Sequence, residues 1–206
     1  YLATSSLAIT QATPTFSAWS NLSKNFGDSD FDVTAPSVTG SLAGTFSYSS
    51  GTTSVISVSG ATLTVLSVGT SVITATFFPT DSTNYSSATT TMTVTVGKAT
   101  LGITASSHTV AYGGGIPTIS PSYSGFVNGD TASVISGLTC STTYTTTTSV
   151  GTTTSTCAGA SANNYLFNYA SGVITVTQGG QTSPLTITST SVTYGSTLSL
   201  TTLGGN

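Results

Sequence analysis

The sequence has no Arg and no Glu, and of its 206 residues only Lys24, Lys98, Asp28, Asp30, Asp32, Asp81 and Asp130 carry charge. Helix surfaces draw heavily on Glu, Lys and Arg, so this poverty argues against a helical fold. Two lysines and a net charge of -3 leave no basic stripe for phosphate, which excludes nucleic acid as a partner class. No run of 18 or more apolar residues exists, so no apolar helix spans a bilayer in these residues. The opening Tyr1-Leu2-Ala3-Thr4 has neither Met nor a charged leader, and a signal peptide is expected outside these residues.

What is abundant is hydroxyl. Thr contributes 47 residues and Ser 36, with Val and Ile supplying much of the apolar content. Thr, Val and Ile suit a pleated, half-buried surface. Hydroxyls also solvate the outer faces of a nearly uncharged β-protein, although the edge lysines that discourage sheet-edge association are scarce.

Internal repetition organises the chain. Ser67-Val68-Gly69-Thr70 recurs as Ser149-Val150-Gly151-Thr152, and Asn84-Tyr85 recurs as Asn164-Tyr165. An aromatic residue followed by Gly appears three times, at Phe26-Gly27, Tyr112-Gly113 and Tyr194-Gly195. A closing strand recurs at Ala8-Ile9-Thr10, Met92 to Val96 and Val173 to Thr177. These markers divide the chain into the last strand of one domain (1–11), two whole domains (12–98 and 99–178), and the linker and start of a further domain (179–206). The parent protein is therefore expected to be longer in both directions. A rival reading has the terminal strands completing a neighbouring subunit by β-strand addition.

In the first whole domain, Ala61 to Leu66 and Val72 to Phe77 read as strands joined by a turn at Gly69-Thr70. Shorter strands fit Phe31 to Ala35, Thr45 to Tyr48 and Val55 to Val58. Such a density of short strands fits a sandwich. In the second, Gly125 to Asp130 gives a turn, and Asp130 is placed to cap a short helical segment through Ile135. The expectation is an all-β chain of tandem immunoglobulin-like β-sandwiches. The second domain is left open between a sandwich and a β-grasp-like sheet with one short helical turn.

The ordered series from Lys24 to Ala35, Phe46 to Ser50, Val55 to Gly60, Val68-Gly69-Thr70, Ile73 to Thr76 and Asn84-Tyr85 resembles a bacterial immunoglobulin-like repeat. The second series runs through Tyr112-Gly113, Pro117, Gly125 to Thr131, Gly151-Thr152, Asn164-Tyr165 and Gly172 to Val176. It is similar to the MBG domains of large bacterial surface proteins. The resemblance implies extracellular location, tandem repetition and an adhesive or spacer role, and it carries over no catalytic residue.

Cys140 and Cys157 flank two Thr-rich strands placed around a turn at Val150-Gly151-Thr152. A disulfide there would contribute roughly 3 kcal/mol in the chain-entropy model and requires an oxidising compartment; two buried thiols are the other reading. The single histidine, His108, lies in a predicted strand with no Gly-x-Ser-x-Gly elbow around any serine, so no catalytic residue is assigned. Asp28, Asp30 and Asp32 alternate, and in an extended segment their carboxylates would converge, which makes them the candidate calcium ligands. Against this, the full calcium-loop pattern is absent. Lys24 and Lys98 are the candidates for a Lys–Asn crosslink, which scarce acids and the linker position of Lys98 disfavour.

Trp19 is the candidate for stacking on a sugar ring, against the commoner fate of core or interdomain packing. Tyr85 and Tyr165, at matching positions, are expected to pin a corner of each domain. Asn21-Leu22-Ser23 and Asn84-Tyr85-Ser86 match the glycosylation sequon.

These features lead to a non-catalytic structural or adhesive module of a secreted or surface-anchored multidomain bacterial protein. Its expected partners are neighbouring repeats, other copies of the chain, surface glycans or host proteins. The alternatives are a carbohydrate-binding module of a larger secreted enzyme and a subunit of an extracellular filament.

Overall fold

The computed structural model of the chain describes residues 9–180; residues 1–8 and 181–206, which hold most of the expected terminal strands, lie outside the described residues. Seven strands form a first lobe: β1 (Leu22–Asn25), β2 (Phe31–Asp32), β3 (Gly44–Ser50), β4 (Ile56–Ser59), β5 (Thr62–Val65), β6 (Gly69–Pro79) and β7 (Ala88–Gly97). Seven more form a second: β8 (Ala99–Ala105), β9 (His108–Ala111), β10 (Pro121–Ser124), β11 (Thr139–Thr142), β12 (Gly151–Ala158), β13 (Tyr165–Ala170) and β14 (Gly172–Thr177).

Each lobe is a sandwich of a four-stranded and a three-stranded sheet. The four-stranded sheets run β1-β7-β6-β3 and β9-β14-β12-β11. They are built alike: a parallel edge pair (β1 with β7, β9 with β14) is followed by antiparallel partners. The facing sheets differ. The first lobe closes with β2-β5-β4, the second with β10-β8-β13.

The strands follow from a period of two, because successive side chains leave a strand on opposite faces. In β6, Ile73, Ala75 and Phe77 are buried while Val72 and Phe78 on the other face are exposed. In β7, Met92, Val94 and Val96 point inward and Thr91 and Thr95 point out. Leu101, Ile103, Ile174 and Val176 do the same service in β8 and β14.

β8 and β9 are one run bent at Ser106-Ser107, where the chain passes from one sheet to the other. Hydroxyls satisfy the bend. The fully buried Ser155 Oγ donates to the Ser106 carbonyl (2.7 Å), and the Val173 amide donates to Ser107 Oγ (2.9 Å).

Cys140 and Cys157 sit directly opposite one another on β11 and β12 and form a disulfide. Cys157 is buried beside Ile103 and Ala105, so the bridge ties two neighbouring strands of one sheet together on the face turned to the core.

Three expectations are corrected, and one choice left open is resolved. Gly69-Thr70 and Gly151-Thr152 are strand starts rather than turns; residues 66–68 and 143–150 make the connections. In the latter connection Tyr144 is buried and donates to the Gly114 carbonyl (2.8 Å). The run predicted as a strand from Phe31 to Ala35 is ladder-paired only at Phe31–Asp32. The helical segment is a three-residue 3-10 turn, Ala132–Val134, capped by Thr131 rather than Asp130. With no α-helix among the described residues and two facing sheets, the second lobe is a sandwich, not a β-grasp-like sheet.

Candidate functional site

Among the described residues, the most elaborated polar and aromatic construction lies where the lobes meet. β7 ends at Gly97 and β8 begins at Ala99, so Lys98 alone joins them. So short a connection forces the end of the first lobe against the start of the second. The apolar core runs through the joint without a break: Phe26, Val65 and Val96 of the first lobe share one cluster with Leu101 and Tyr165 of the second.

Phe26 is placed by β1, whose ladder it extends by donating its amide to the Gly97 carbonyl (2.9 Å). Its ring, 5% exposed, meets Tyr165, 2% exposed, edge to face at 5.6 Å and 87°. Tyr165 in turn meets Phe126 at 5.8 Å and 82°. Such pairs contribute about 0.5–1.5 kcal/mol each beyond the burial of their area.

The Tyr165 hydroxyl donates to Asp130 Oδ2 (2.8 Å) and accepts from the Val127 amide (3.2 Å). Burial raises its pKa above the ordinary phenol value, the Val127 amide acts in the opposite sense, and Asp130 adds to the rise. Next to Tyr165, Asn164 works in both directions. Its Oδ1 accepts from the Val68 amide of the first lobe (3.1 Å), and its carbonyl accepts from the Ala99 amide (3.0 Å). Lys98 Nζ donates to the Ala162 carbonyl (3.3 Å).

Gly27 completes the fit. Its φ is +93°, a conformation L side chains rarely adopt, and a Cβ there would lie 2.6 Å from Val127 Cβ. Both requirements select glycine.

The expected site residues lie elsewhere or in other roles. Asp28 and Asp30 line a recess of about 510 Å³ at the joint, together with Asp130, Asn128 and Asn164. Asp32 faces another groove and accepts from Thr62 Oγ1 (2.7 Å), while Asp28 accepts from the Asn25 amide (2.9 Å). The expected convergence of Asp28, Asp30 and Asp32 is therefore corrected. The chain turns at Phe26-Gly27 and is not a strand from there to Phe31, and no three His, Cys, Asp or Glu side chains lie close enough to hold a metal ion among the described residues.

Trp19 lies on the flank of the first lobe, in a groove of about 550 Å³ with Leu22, Phe31 and Met92. Its ring is half-buried near Tyr48 (6.1 Å) and its indole donates to the Thr34 carbonyl (2.9 Å). Lys24 lies 4.3 Å from the Phe31 ring centroid. His108 bonds Ser106 Oγ through Nε2 (2.9 Å), with no carboxylate joined to the pair among the described residues. Tyr85 pairs with Ala12 in an isolated bridge, and neighbouring Asn84 donates through its backbone and side-chain amides to Asp81, lowering that carboxyl's pKa.

Val68 and Val127 meet the opposite lobe without any local pattern in the sequence that marks them. The recurrence of Ser-Val-Gly-Thr, Asn-Tyr and aromatic-Gly was the available signal, since the joint is built from one half of each pair.

The class defined by these features is the all-β tandem sandwich. More narrowly, residues 101–175 match the family model described as MBG domain (YGX type), and Tyr112-Gly113-Gly114 falls within the match. No curated protein matches the chain. Among solved structures it is similar to Drosophila N-cadherin EC1-4 (8% identity, 82% of this chain and 50% of that one, TM-score 0.36). It is also similar to the four N-terminal Ig domains of a Dscam1 isoform (14%, 82% and 48%, 0.34). A third is the Clostridium thermocellum CbhA fibronectin(III)-like modules (17%, 80% and 94%, 0.28). The chain spans about half the length of the first two. At these scores the likenesses add nothing to what the strand pairing itself establishes.

Proposed function

We propose that the chain is a non-catalytic structural or adhesive module of a secreted or surface-anchored multidomain bacterial protein, in which each lobe is a domain and the joint sets their relative orientation. The carrying observation is the shared core: Phe26 and Tyr165 bury each other across the boundary, so the lobes cannot swing without exposing both rings. A spacer needs that property, because a free hinge would not hold whatever it presents at a fixed distance. The disulfide supports an oxidising, extracytoplasmic setting. No helix among the described residues is long and apolar enough to cross a membrane.

Pulling the chain through its ends in optical tweezers tests the reading. The expected record shows the joint holding until a lobe unfolds. A compliant, low-force extension preceding both unfolding events would overturn it.

One observation favours a second reading, a carbohydrate-binding module: Trp19 and Phe31 line an open groove. Titration of the chain's sole Trp with polysaccharides checks it, and unchanged fluorescence counts against it.

A further inference from the structure

The free end of the second lobe repeats the end of the first. Tyr112 follows β9 as Phe26 follows β1, and it extends the parallel ladder by the same bond, its amide donating to the Thr177 carbonyl (2.8 Å) as Phe26 donates to Gly97 (2.9 Å). Gly113 (φ +79°) takes the place of Gly27 (φ +93°), and a Cβ on Gly113 would meet nothing within 4 Å. Val150 stands to Gly151 and β12 as Val68 stands to Gly69 and β6.

In the first lobe these three positions are covered by Tyr165, Val127 and Asn164 of the second. In the second lobe they lie open. Tyr112 is 45% and Val150 56% exposed, and the Val150 amide has no hydrogen-bond partner among the described residues. A large aromatic, a glycine with an open approach and an unpaired amide thus reproduce the half-joint that the first lobe presents.

The geometry points to the face made by Tyr112, Gly113 and Val150 as the seat of a further β-domain of the same polypeptide, one that presents an Asn-Tyr corner. Tyr112 takes the corner's Tyr edge to face, Gly113 admits a loop side chain, and the Val150 amide donates to the corner's Asn. Chain continuity favours this occupant over a separate copy. In the existing joint the connecting strand passes through the contact itself, and a tethered lobe docks at high effective concentration. A separate copy would bring the chain preceding its own Ala12 to the place where Gln178 already leaves.

The sequence beyond the second lobe carries the matching pattern. Leu185-Thr186-Ile187-Thr188 repeats the spacing of Leu101-Gly102-Ile103-Thr104, and Tyr194-Gly195 repeats the aromatic-Gly pair. The connection from Val176 to Leu185 is longer than that from Val96 to Leu101. The seat is therefore expected to hold its lobe less tightly than the first joint does.

This inference rests on the reading of the chain as a module of a multidomain array. The test joins a second copy of residues 99–178 after Ser183, in place of residues 184–206, and follows amide exchange by NMR. The Val150 amide is expected to exchange roughly tenfold more slowly than in the 206-residue chain, as local opening becomes coupled to undocking. That slowing should vanish with Asn164→Ala in the added copy or with Tyr112→Ser.

Equal Val150 rates in the two chains, or slowing that survives both substitutions, would overturn the proposal. Protection across β14 of the second lobe and of the added copy reports that both are folded. If the added copy is not folded, residues 12–98, with the corner Asn84-Tyr85, replace it. A lobe that folds in neither form also counts against the proposal, since a seat built for it would support it. Glycan binding by the chain would overturn the spacer reading while leaving the Val150 result untouched, so the two failures separate.

Discussion

Gly27 offers a perturbation whose cost divides into a part confined to one lobe and a part shared by both. In Gly27→Ala the new methyl carries a backbone penalty, because φ is +93°; holding a non-Gly residue there costs about 1–2 kcal/mol. It also drives a Cβ to 2.6 Å from Val127 Cβ and Cγ2 and 2.8 Å from Cγ1. That overlap engages the root of a β-branched side chain, which cannot swing aside, so the joint must open or shift at a cost of about 1–3 kcal/mol. The total expected loss is about 2–5 kcal/mol. Urea unfolding read by Trp19 fluorescence reports the first lobe, and amide exchange in β13 reports the second. In a Val127→Gly background the clash disappears and the backbone penalty stays, so the two substitutions should couple by at least about 1 kcal/mol. Strict additivity would refute the reasoning, because it would mean that Gly27 and Val127 do not meet in solution.

Reducing the disulfide should destabilise the second lobe by about 3 kcal/mol, seen as a lower Tm with reductant, while the Trp19 transition of the first lobe moves much less. Because burial raises the Tyr165 pKa, the folded chain keeps a proton that the unfolded chain releases near the ordinary phenol value of 10.0. This stabilisation is complete below pH 10 and is lost as pH climbs through the raised value. Urea midpoints of the second lobe should fall in that window, and Tyr165→Phe should flatten the fall while costing about 1–3 kcal/mol at neutral pH through the stranded Asp130 and Val127 partners. The two lysines face an aromatic ring and a backbone carbonyl rather than carboxylates, so the lobe orientation seen by small-angle scattering should not change between low and molar salt.

Strands were legible wherever apolar residues alternated with Thr, as in β6, β7 and β14, because one hydrophobic face suffices to fix both type and register. Alternation also misled. Asp28, Asp30 and Asp32 have strand spacing, yet the glycine at 27 turns the chain and only Phe31–Asp32 enter a ladder, so Asp32 faces away from the recess that Asp28 and Asp30 line. The Asn-Tyr recurrence suggested two equal corners. Tyr165, however, opens β13, where Phe167 two positions on packs against the core, whereas Ser87 stands at the matching position after Tyr85 and gives a strand nothing to bury. The joint was illegible for a different reason: Val68 and Asn164 are 96 positions apart, and only the fold brings a loop amide to a corner side chain. Each half was visible as a repeat marker, but no local pattern states that one lobe's marker meets the next lobe's.

A chain with so few charges must solve by other means the problem that edge lysines usually solve. Its long apolar surface lies inside the sandwiches, and the residual apolar positions on outer faces, such as Val72, Phe78, Leu166 and Val173, are single side chains set among Thr and Ser. Such scattered exposure does not make a patch. The ends of the lobes differ, because there strands stop and leave amides and carbonyls without ladder partners. At the first joint those groups are met in kind: the Val68 amide by the Asn164 side chain and the Ala162 carbonyl by Lys98. The cross-lobe bonds therefore involve amides, carbonyls and one ammonium, with Phe26 and Tyr165 excluding water from their centre. Attraction of that kind acts only when two lobe ends fit in shape. At the described joint, fit in shape rather than charge thereby holds one nearly neutral lobe end against the other.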